Sequence, residues 1–305
     1  MLVYILRRLL QSILAIFIVL TLVFIIVNLL GDPVRIVLPP NANPEQIAAV
    51  RERLGLDNPV WQRYWEFVSG AIRGDFGDSY WQQRPALELA VERIPATLSL
   101  AFVAMVIIVP VGVGLGVVSA LKPRSILETF ASFFSFISVS LVDFWLALML
   151  ILVFAVTLGW LPTSGYGTPA HFILPAVTIA VLSFGTLAQL TRASVTEELG
   201  KAYVFAARFR GIPERTVVIR HVLRNALIPV VTVCGSILIS IAGGSVIAEV
   251  VFGWPGLGLL FIQAIERRDL PLLQATVFLT AVMVAIINLA VDLMYRWINP
   301  KVKWA

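Results

Sequence analysis

The chain has 305 residues, of which 59% are hydrophobic and 13% are charged, and its mean hydropathy is +0.92. No water-soluble domain of this size needs so much apolar surface, so the composition excludes that class and indicates a polytopic membrane protein. The formal charge of +5 comes mostly from loops that we expect on the cytoplasmic side. Nothing in the chain supplies the folded basic surface that nucleic-acid binding needs, so no nucleic-acid partner is expected.

Cysteine and histidine are too scarce for redox or metal chemistry. The single cysteine, Cys234, excludes an internal disulfide and lies in an apolar run, which is typical of a small buried hydrophobic residue. The two histidines, His171 and His221, fall on predicted opposite sides of the membrane. We therefore predict no metal site.

Six segments offer the roughly 20 apolar residues that a helix needs to cross about 30 Å of hydrocarbon. The basic residues ahead of the first segment also occur in signal peptides, but this apolar stretch exceeds a usual signal core and no cleavage site follows it. We therefore predict an uncleaved first span. The predicted spans cover residues 9–30, 97–121, 143–159, 172–191, 226–248 and 272–292, all approximate.

The third span is interrupted. Residues 126–158 are apolar except for Glu128 and Asp143, and this stretch is too long for one straight crossing. We predict a short helix near 126–140, a break around 140–143, and the main span from 143 onward. Two full crossings here would be too short and would reverse the topology of the later spans.

Charge predicts the orientation of the spans, because Lys and Arg in short loops resist translocation. The stretch from Arg192 to Arg224 carries seven basic and three acidic residues, whereas segment 31–95 carries seven basic and nine acidic ones. We predict that the first stretch and both termini are cytoplasmic and that segment 31–95 is periplasmic. The predicted units are 1–95, with the first span and a periplasmic helical segment, and 96–305, a core domain whose cytoplasmic loop is 192–228.

The outer segment is predicted to contain two amphipathic helices. Asn43 as N-cap, Pro44 in the first turn and Gln46 in a capping box mark the start of the first helix. The second helix follows Pro59. Its aromatic residues either cap the entrance of a pathway, receive an external partner, or pack on the membrane spans, and the sequence leaves these alternatives open.

Signatures of catalysis are absent from the sequence. There is no G-x-x-x-x-G-K-[ST] motif, which excludes a P-loop, and no H-E-x-x-H motif or Ser nucleophile elbow. The Gly-rich stretch 253–258 follows a membrane helix, where we expect a tight turn rather than a phosphate cradle. We predict that the chain by itself is not an enzyme.

Several short motifs are similar, in their order and spacing, to those of a known transporter family. They are Gly31–Pro33, Arg53–Asp57, Gly74–Gly77, Gly159–Pro162, Arg192–Ser194, Arg220–Pro229, Gly243–Ser245, Phe252–Gly258 and Ile298–Pro300. Through them nearly the whole chain resembles a permease subunit of the dipeptide/oligopeptide/nickel family of ABC importers. The resemblance implies six transmembrane helices in the type I importer fold of the bacterial inner membrane.

The resemblance also implies partners. Permeases of this family work with a second homologous permease, two cytoplasmic ABC ATPases and an extracytoplasmic solute-binding protein. The ATPases bind ATP and Mg²⁺, so this chain is expected to hold no cofactor of its own. The implied cargo is a di- or oligopeptide, with nickel chelates and glutathione as the alternatives.

The basic loop matches the cytoplasmic motif E-A-A-x3-G-x9-I-x-L-P, which forms the coupling helix that sits in a groove of the ATPase. Ala206, Ala207, Gly211 and Leu223 keep the motif, and Phe205, His221 and Arg224 depart from it. The peptide branch diverges similarly at these places. By the resemblance, the coupling residues are Tyr203, Phe205, Ala206, Ala207, Arg208, Arg210, Gly211 and Arg215.

Elementary chemistry supports this assignment. The small side chains of Ala206 and Ala207 permit close approach of a partner, and Gly211 tolerates the left-handed conformation that ends a helix. The arginines of the segment pair either with acids on the partner or with lipid head groups. The alternative is that these arginines only enforce the topology.

Ionisable residues within spans are costly and usually face a path or a partner. Asp143, at the break in the third span, either lines the path or caps the helix that follows. Glu249, at the outer end of the fifth span, either guards the exit or pairs with Arg267 or Arg268. Both carboxylates are candidate residues of the translocation path.

The fifth span also contains glycines that let helix backbones approach closely. Gly235, Gly243 and Gly244 therefore suit an interface with a second permease, the alternative being glycines that face lipid. Two other classes of protein fit less well. A membrane-embedded enzyme would need convergent reactive side chains, and a stand-alone channel or secondary transporter ought to show internal repeats with broken helices.

Overall fold

The computed structural model describes residues 2–29, 43–45, 48, 51 and 57–298. These ranges are helical apart from turns and an isolated bridge between Asp78 and Pro85, which confirms the predicted all-α class. The helices are α1 Leu2–Leu29, α2 Val60–Arg73, α3 Ala86–Val91, α4 Ile94–Leu121, α5 Ile126–Ser140, α6 Asp143–Leu150, α7 Pro169–Leu199, α8 Ala202–Phe209, α9 Glu214–Thr216, α10 Arg224–Gly244, α11 Val246–Val251, α12 Leu257–Glu266 and α13 Leu270–Ile298. Two π-helical stretches, Ile151–Thr157 and Val217–Leu223, extend α6 and join α9 to α10.

Five helical segments of the described chain are long and apolar enough to cross a membrane. They are Leu6–Val27, Ala86–Leu121, Pro169–Leu199, Glu214–Gly243 and Leu270–Met294. A sixth span results when α5 and α6, which are bent by 110° at their junction, count as one broken span. The six predicted spans correspond to these, and several helices run past the predicted ends because polar flanking turns continue the backbone hydrogen-bond ladder.

The predicted break in the third span is confirmed at Leu141 and Val142, which are both extended. On the α5 side of the break, the Ser138 hydroxyl donates to a carbonyl of α7 and accepts from the Gly185 N–H at 3.1 Å. A Cβ at Gly185 would lie only 2.5 Å from the Ser135 carbonyl oxygen. The two backbones therefore pack almost in contact, and this packing fixes the end of α5 from which the break starts.

The chain divides into two compact units. The first boundary falls next to the predicted one at residue 95, whereas segment 255–285 groups with the N-terminal part. The predicted units 1–95 and 96–305 stay a prediction. The compact units are Met1–Ala96 with Pro255–Ala285, and Thr97–Trp254 with Ile286–Ala305.

In the first unit, α2 packs its aromatic face on α1. The rings of Tyr64 and Phe67 lie 5.3 Å and 5.7 Å from that of Phe24, and the Tyr64 hydroxyl is 2.8 Å from the Thr21 hydroxyl. Of the alternatives for the second amphipathic helix, packing on a membrane span is the one that these contacts support. The helix predicted to begin at Asn43 lies largely outside the described residues.

A buried carboxylate ties the first unit together near the start of α13. Asp269 accepts hydrogen bonds from the Ser79 hydroxyl at 2.5 Å, the Trp81 N–H at 3.1 Å and the Leu272 N–H at 3.2 Å. The last of these caps the N-terminus of α13. Asp269 thereby joins the segment before α3 to a helix nearly 190 positions later in the sequence.

The Gly-rich stretch after α11 forms the predicted tight turn. Gly253 has a φ of +58°, and the Trp254 N–H donates to the Glu249 carbonyl at 2.8 Å. The Trp254 side chain is fully buried, with ring centroids 4.8 Å from Tyr166 and 4.4 Å from Phe172. Because this N–H already has a partner in the chain, the turn does not cradle phosphate with it.

Candidate coupling helix and translocation cleft

The helix of the predicted coupling segment, α8, ends in a Schellman motif. Gly211 follows it with a φ of +74°, in the left-handed region that glycine enters without strain. The Gly211 N–H donates to the Arg208 carbonyl at 2.9 Å, and the Ile212 N–H donates to the Ala207 carbonyl at 3.3 Å. The predicted helix end at Gly211 is confirmed.

One side of α8 packs into an apolar cluster of the same chain. Its Val204 is fully buried and Ala207 nearly so. The cluster consists of Ala120, Val195, Val204, Ala207, Val217, Val222 and Ala226, from four helices and the second π-helical stretch. Since closely packed interiors transmit displacement, a force on α8 would act on the adjoining ends of α4, α7 and α10.

The opposite side of α8 exposes two aromatic rings. Phe205 is 48% exposed and Phe209 is 91% exposed, and the exposed Ala206 lies on the same side of the helix. The sequence predicts a partner-facing role for both alanines of the motif. In the structure only Ala206 faces outward, because Ala207 is one position further round the helix and joins the cluster.

Ion pairs within the loop occupy its acidic residues. Arg208 donates to both carboxylate oxygens of Glu214, at 2.6 Å and 3.1 Å, and this hydrogen bonding raises the pKa of Arg208. Lys201 pairs with Glu197 at 3.4 Å and also with Glu198. Arg208, which the sequence assigns to a partner's acids or lipid, thus has its acidic partner in its own chain.

Four other arginines of the loop are exposed and have no ion pair within the described part of the chain. They are Arg210, Arg215, Arg220 and Arg224. After the internal pairs are formed, these side chains give the loop a net positive surface. Together with the exposed rings of α8, this surface suits a partner that offers an apolar groove and carboxylates.

Tyr203 anchors the start of α8 to its neighbours. Its hydroxyl donates to Glu198 at the end of α7 and accepts from the Asn225 amide of α10 at 3.1 Å. The same amide donates to the His221 carbonyl at 3.1 Å. Burial, reinforced by the Glu198 hydrogen bond, raises the pKa of Tyr203. The hydroxyl therefore holds α8 in place within the chain.

Asp143 is the first residue of α6, directly after the break, and it is exposed. It lines a cavity of about 110 Å³ between α6, α7, α10 and α11. Four hydroxyl-bearing side chains share the lining: Thr178, Ser183, Ser240 and Ser245. The sequence leaves open whether Asp143 lines a path or caps a helix. In the structure Asp143 lines this cleft and also stands in the first turn of α6, where the helix dipole stabilises a carboxylate.

Glu249 lies behind this cleft. It is completely buried, and its carboxylate accepts from the Thr97 hydroxyl at 2.8 Å and the Ser245 hydroxyl at 3.3 Å. Ser245 thus contacts Glu249 and also lines the cleft that contains Asp143. A residue that guards an exit would be exposed, whereas Glu249 is buried.

The three glycines assigned to a permease interface differ in their surroundings. A Cβ at Gly235 would lie 2.2 Å from a methyl group of Val291, so the close approach there is to α13 of the same chain. Gly243 is exposed, and Gly244 is the last residue of α10. The role in an interface stays a prediction, and the surroundings of Gly243 suit it better than those of Gly235.

Comparison with known proteins decides the family. The model of the binding-protein-dependent transport system inner membrane component matches residues 112–304, and the model of its N-terminal component matches residues 1–101. The chain belongs to this family of ABC importer permeases. It is a multi-pass protein of the inner membrane, of a family that is not itself catalytic.

Relatives of this permease are similar along their whole length. The glutathione transport system permease protein GsiC of Escherichia coli (strain K12) is 40% identical over 305 residues, which is 100% of each chain. The protein of the same name from Shigella dysenteriae serotype 1 (strain Sd197) matches equally well.

Solved structures of ABC transporters share the fold of this permease. The MetNI methionine ABC transporter in an inward-facing conformation has a TM-score of 0.57 at 22% identity, covering 69% of this chain and 96% of that chain. An amino acid ABC transporter crystallised with histidines has a TM-score of 0.56 at 19% identity, covering 69% and 94%. These likenesses confirm the type I importer fold.

Two residues that sequence reasoning misses complete the picture of this permease. Phe209 stands one position after Arg208 and gives no motif signal, yet it is almost fully exposed. The available signal is its spacing of four positions from Phe205, which places both rings on the same side of a helix. Thr97 lies 152 positions from Glu249, and no pattern in the sequence connects the two.

Proposed function

We propose that this permease imports short peptides, glutathione among them, as one of two permease subunits driven by two cytoplasmic ATPases and supplied by a solute-binding protein. The observation that carries the proposal is the 40% identity, over all 305 residues, to a permease named for glutathione transport. The motifs of the dipeptide/oligopeptide/nickel family support the wider peptide class, and nickel chelates are the alternative cargo.

The coupling role belongs to α8 and its flanks in this proposal. The exposed rings of Phe205 and Phe209 enter an apolar groove of the ATPase, and Arg210 and Arg215 meet carboxylates at its rim. Support comes from their exposure and from the absence of ion pairs to these two arginines within the described residues. Ala207, Arg208, Tyr203 and Gly211 shape and hold the helix.

The remaining assignments follow from the same arrangement. The cleft at Asp143 is part of the translocation path, and Gly243 with Gly244 faces the second permease. The basic loop and both termini are cytoplasmic, so that α8 reaches the ATPases, which bind ATP with Mg²⁺ and hydrolyse it. No catalytic residue is assigned to this chain.

A transport assay with three cargoes tests the substrate class. The complex is purified with its co-encoded partners, reconstituted, and given labelled glutathione, a dipeptide or a nickel–histidine chelate together with its binding protein. We expect ATP-dependent uptake of glutathione or the dipeptide above that of the chelate. Preferential uptake of nickel would overturn the peptide assignment while leaving an ABC importer.

A further inference from the structure

The cleft at Asp143 has the chemistry of a cation site. Asp143 supplies its one carboxylate, and none of the ten residues that line it is basic. The hydroxyls of Ser183, Ser240 and Ser245 add hydrogen-bonding oxygens, and Ile179 and Leu182 belong to the apolar part of the wall. A carboxylate beside hydroxyl groups in a membrane span favours a ligand that is positively charged and donates hydrogen bonds.

The cleft is large enough to admit a small polar group. Its volume of about 110 Å³ exceeds the roughly 10–15 Å³ that a cavity needs to hold one water. An ammonium group with the carbon atoms next to it fits this space.

The walls of the cleft are held on two sides by hydrogen bonds that do not involve Asp143. Ser138 fixes α5 to α7 at Gly185, immediately before the break that precedes Asp143. Glu249 is bonded to Ser245 and Thr97, which fixes α11 near α4. The helices around the cleft are therefore fixed by contacts that are independent of Asp143.

We propose that the Asp143 cleft binds the α-ammonium group of the transported solute, with the Asp143 carboxylate as its counter-ion. The inference rests on the proposed function, because peptides and glutathione both carry such a group. Asp143 acts in positioning and selection, and no bond of the solute is made or broken.

The test measures equilibrium binding to the permease–ATPase complex in nanodiscs, with the solute-binding protein left out so that its own selectivity does not contribute. The probes are glutathione, dialanine and their N-acetyl derivatives, in which the ammonium charge is lost. We expect at least one free-amine probe to bind the unmodified complex about tenfold or more tightly than its N-acetyl form, because a charge-assisted hydrogen bond is lost on acetylation.

The variants separate the charge of Asp143 from the general integrity of the complex. Asp143→Asn is expected to weaken binding of the free-amine probe about tenfold and to remove the difference caused by acetylation. Asp143→Glu, which keeps the charge, and Glu266→Gln, which removes an exposed carboxylate elsewhere, are expected to retain that difference. These results together would support the ammonium site.

Two outcomes would overturn the inference. One is an acetylation effect of the same size in Asp143→Asn as in the unmodified complex. The other is equal binding, or no binding, of free and acetylated probes by the unmodified complex. ATP-dependent uptake measured in parallel keeps the proposed function separate, since uptake that persists in either case rejects only the ammonium site.

Discussion

Gly211 follows the last turn of α8 and has a φ of +74°. The end of the helix therefore depends on a backbone conformation that glycine adopts easily. A Cβ at this position would meet nothing within 4 Å, so a larger side chain has room and its cost is conformational. The hydrogen bonds from Gly211 and Ile212 back into α8 depend on this conformation. Substitutions at Gly211 therefore test the shape of the coupling segment without steric clash.

We predict that Gly211→Val destabilises the helix end by about 1–2 kcal/mol, because a β-branched residue is strained in the left-handed region. Gly211→Asn should cost less, since asparagine tolerates that region. The measurement is stimulation of ATP hydrolysis by the loaded binding protein in the purified complex, with thermal unfolding as the check on folding. Equal stimulation and equal melting temperatures in the Val and Asn variants would contradict this role of the turn.

Phe209 is exposed to 91%, so its ring contributes little to folding of the isolated chain. We predict that Phe209→Ala leaves the melting temperature of the permease within a few degrees but weakens its association with the ATPase about 30-fold, the loss of roughly 2 kcal/mol typical of an interface hot spot. The association is measured by titrating ATPase onto permease in nanodiscs. Trp61→Ala, which removes a 67% exposed ring from α2, is the matched control.

An unchanged affinity of Phe209→Ala for the ATPase would remove Phe209 from the interface. A loss shared by Trp61→Ala would assign the effect to general surface hydrophobicity. Either result would leave Phe205 and the exposed arginines to be tested in the same way.

The contact between α5 and α7 is the element that sets the geometry of the cleft. A Cβ at Gly185 would lie 2.5 Å from both the Ser135 carbonyl oxygen and the Ser138 hydroxyl oxygen. Neither helix can absorb this overlap without moving. The break that follows α5, and with it the position of Asp143, therefore depends on the absence of a side chain at Gly185.

We predict that Gly185→Ala destabilises the permease by about 1–3 kcal/mol, the usual cost of overpacking a close contact. Gly114→Ala in α4 is the matched control, because a Cβ there meets nothing within 4 Å. Thermal unfolding of both variants in detergent gives the comparison. Equal melting temperatures for the two variants would mean that α5 and α7 do not pack as closely as described.

The elements that the sequence predicts are those specified by local chemistry. The apolar stretch 126–158 is too long for one crossing, so a break follows from its length, and Asp143 marks the polar position next to which the break is predicted. Gly211 ends a helix because of its own conformational freedom. These features need no knowledge of what packs against them.

The elements that the sequence leaves undetermined depend on distant partners. Ala206 and Ala207 are identical in type, and only the cluster around Val204 decides which of them is buried. Thr97 is a partner of Glu249 from a distant part of the sequence, and the helix next to Gly235 is that of Val291. Such contacts arise from tertiary packing, which no local pattern of residue types records.

The short exposed helix α8 lies between the membrane-spanning helices α7 and α10, and its buried side packs on the ends of α4, α7 and α10. The permease family and the full-length relatives place this arrangement in an ATP-driven importer. The chain itself has no P-loop motif with which to use ATP. In the proposed function, transport therefore depends on a partner ATPase that acts through α8.

The most direct measurement compares solute uptake into vesicles that contain the full complex with uptake into vesicles that contain this permease alone. We predict uptake of glutathione or a dipeptide only with both permeases, the ATPases, the binding protein and ATP present. Removing ATP, or substituting Phe209→Asp in α8, should abolish it. Uptake at an undiminished rate by this permease alone, with no ATPase and no ATP, would contradict the account.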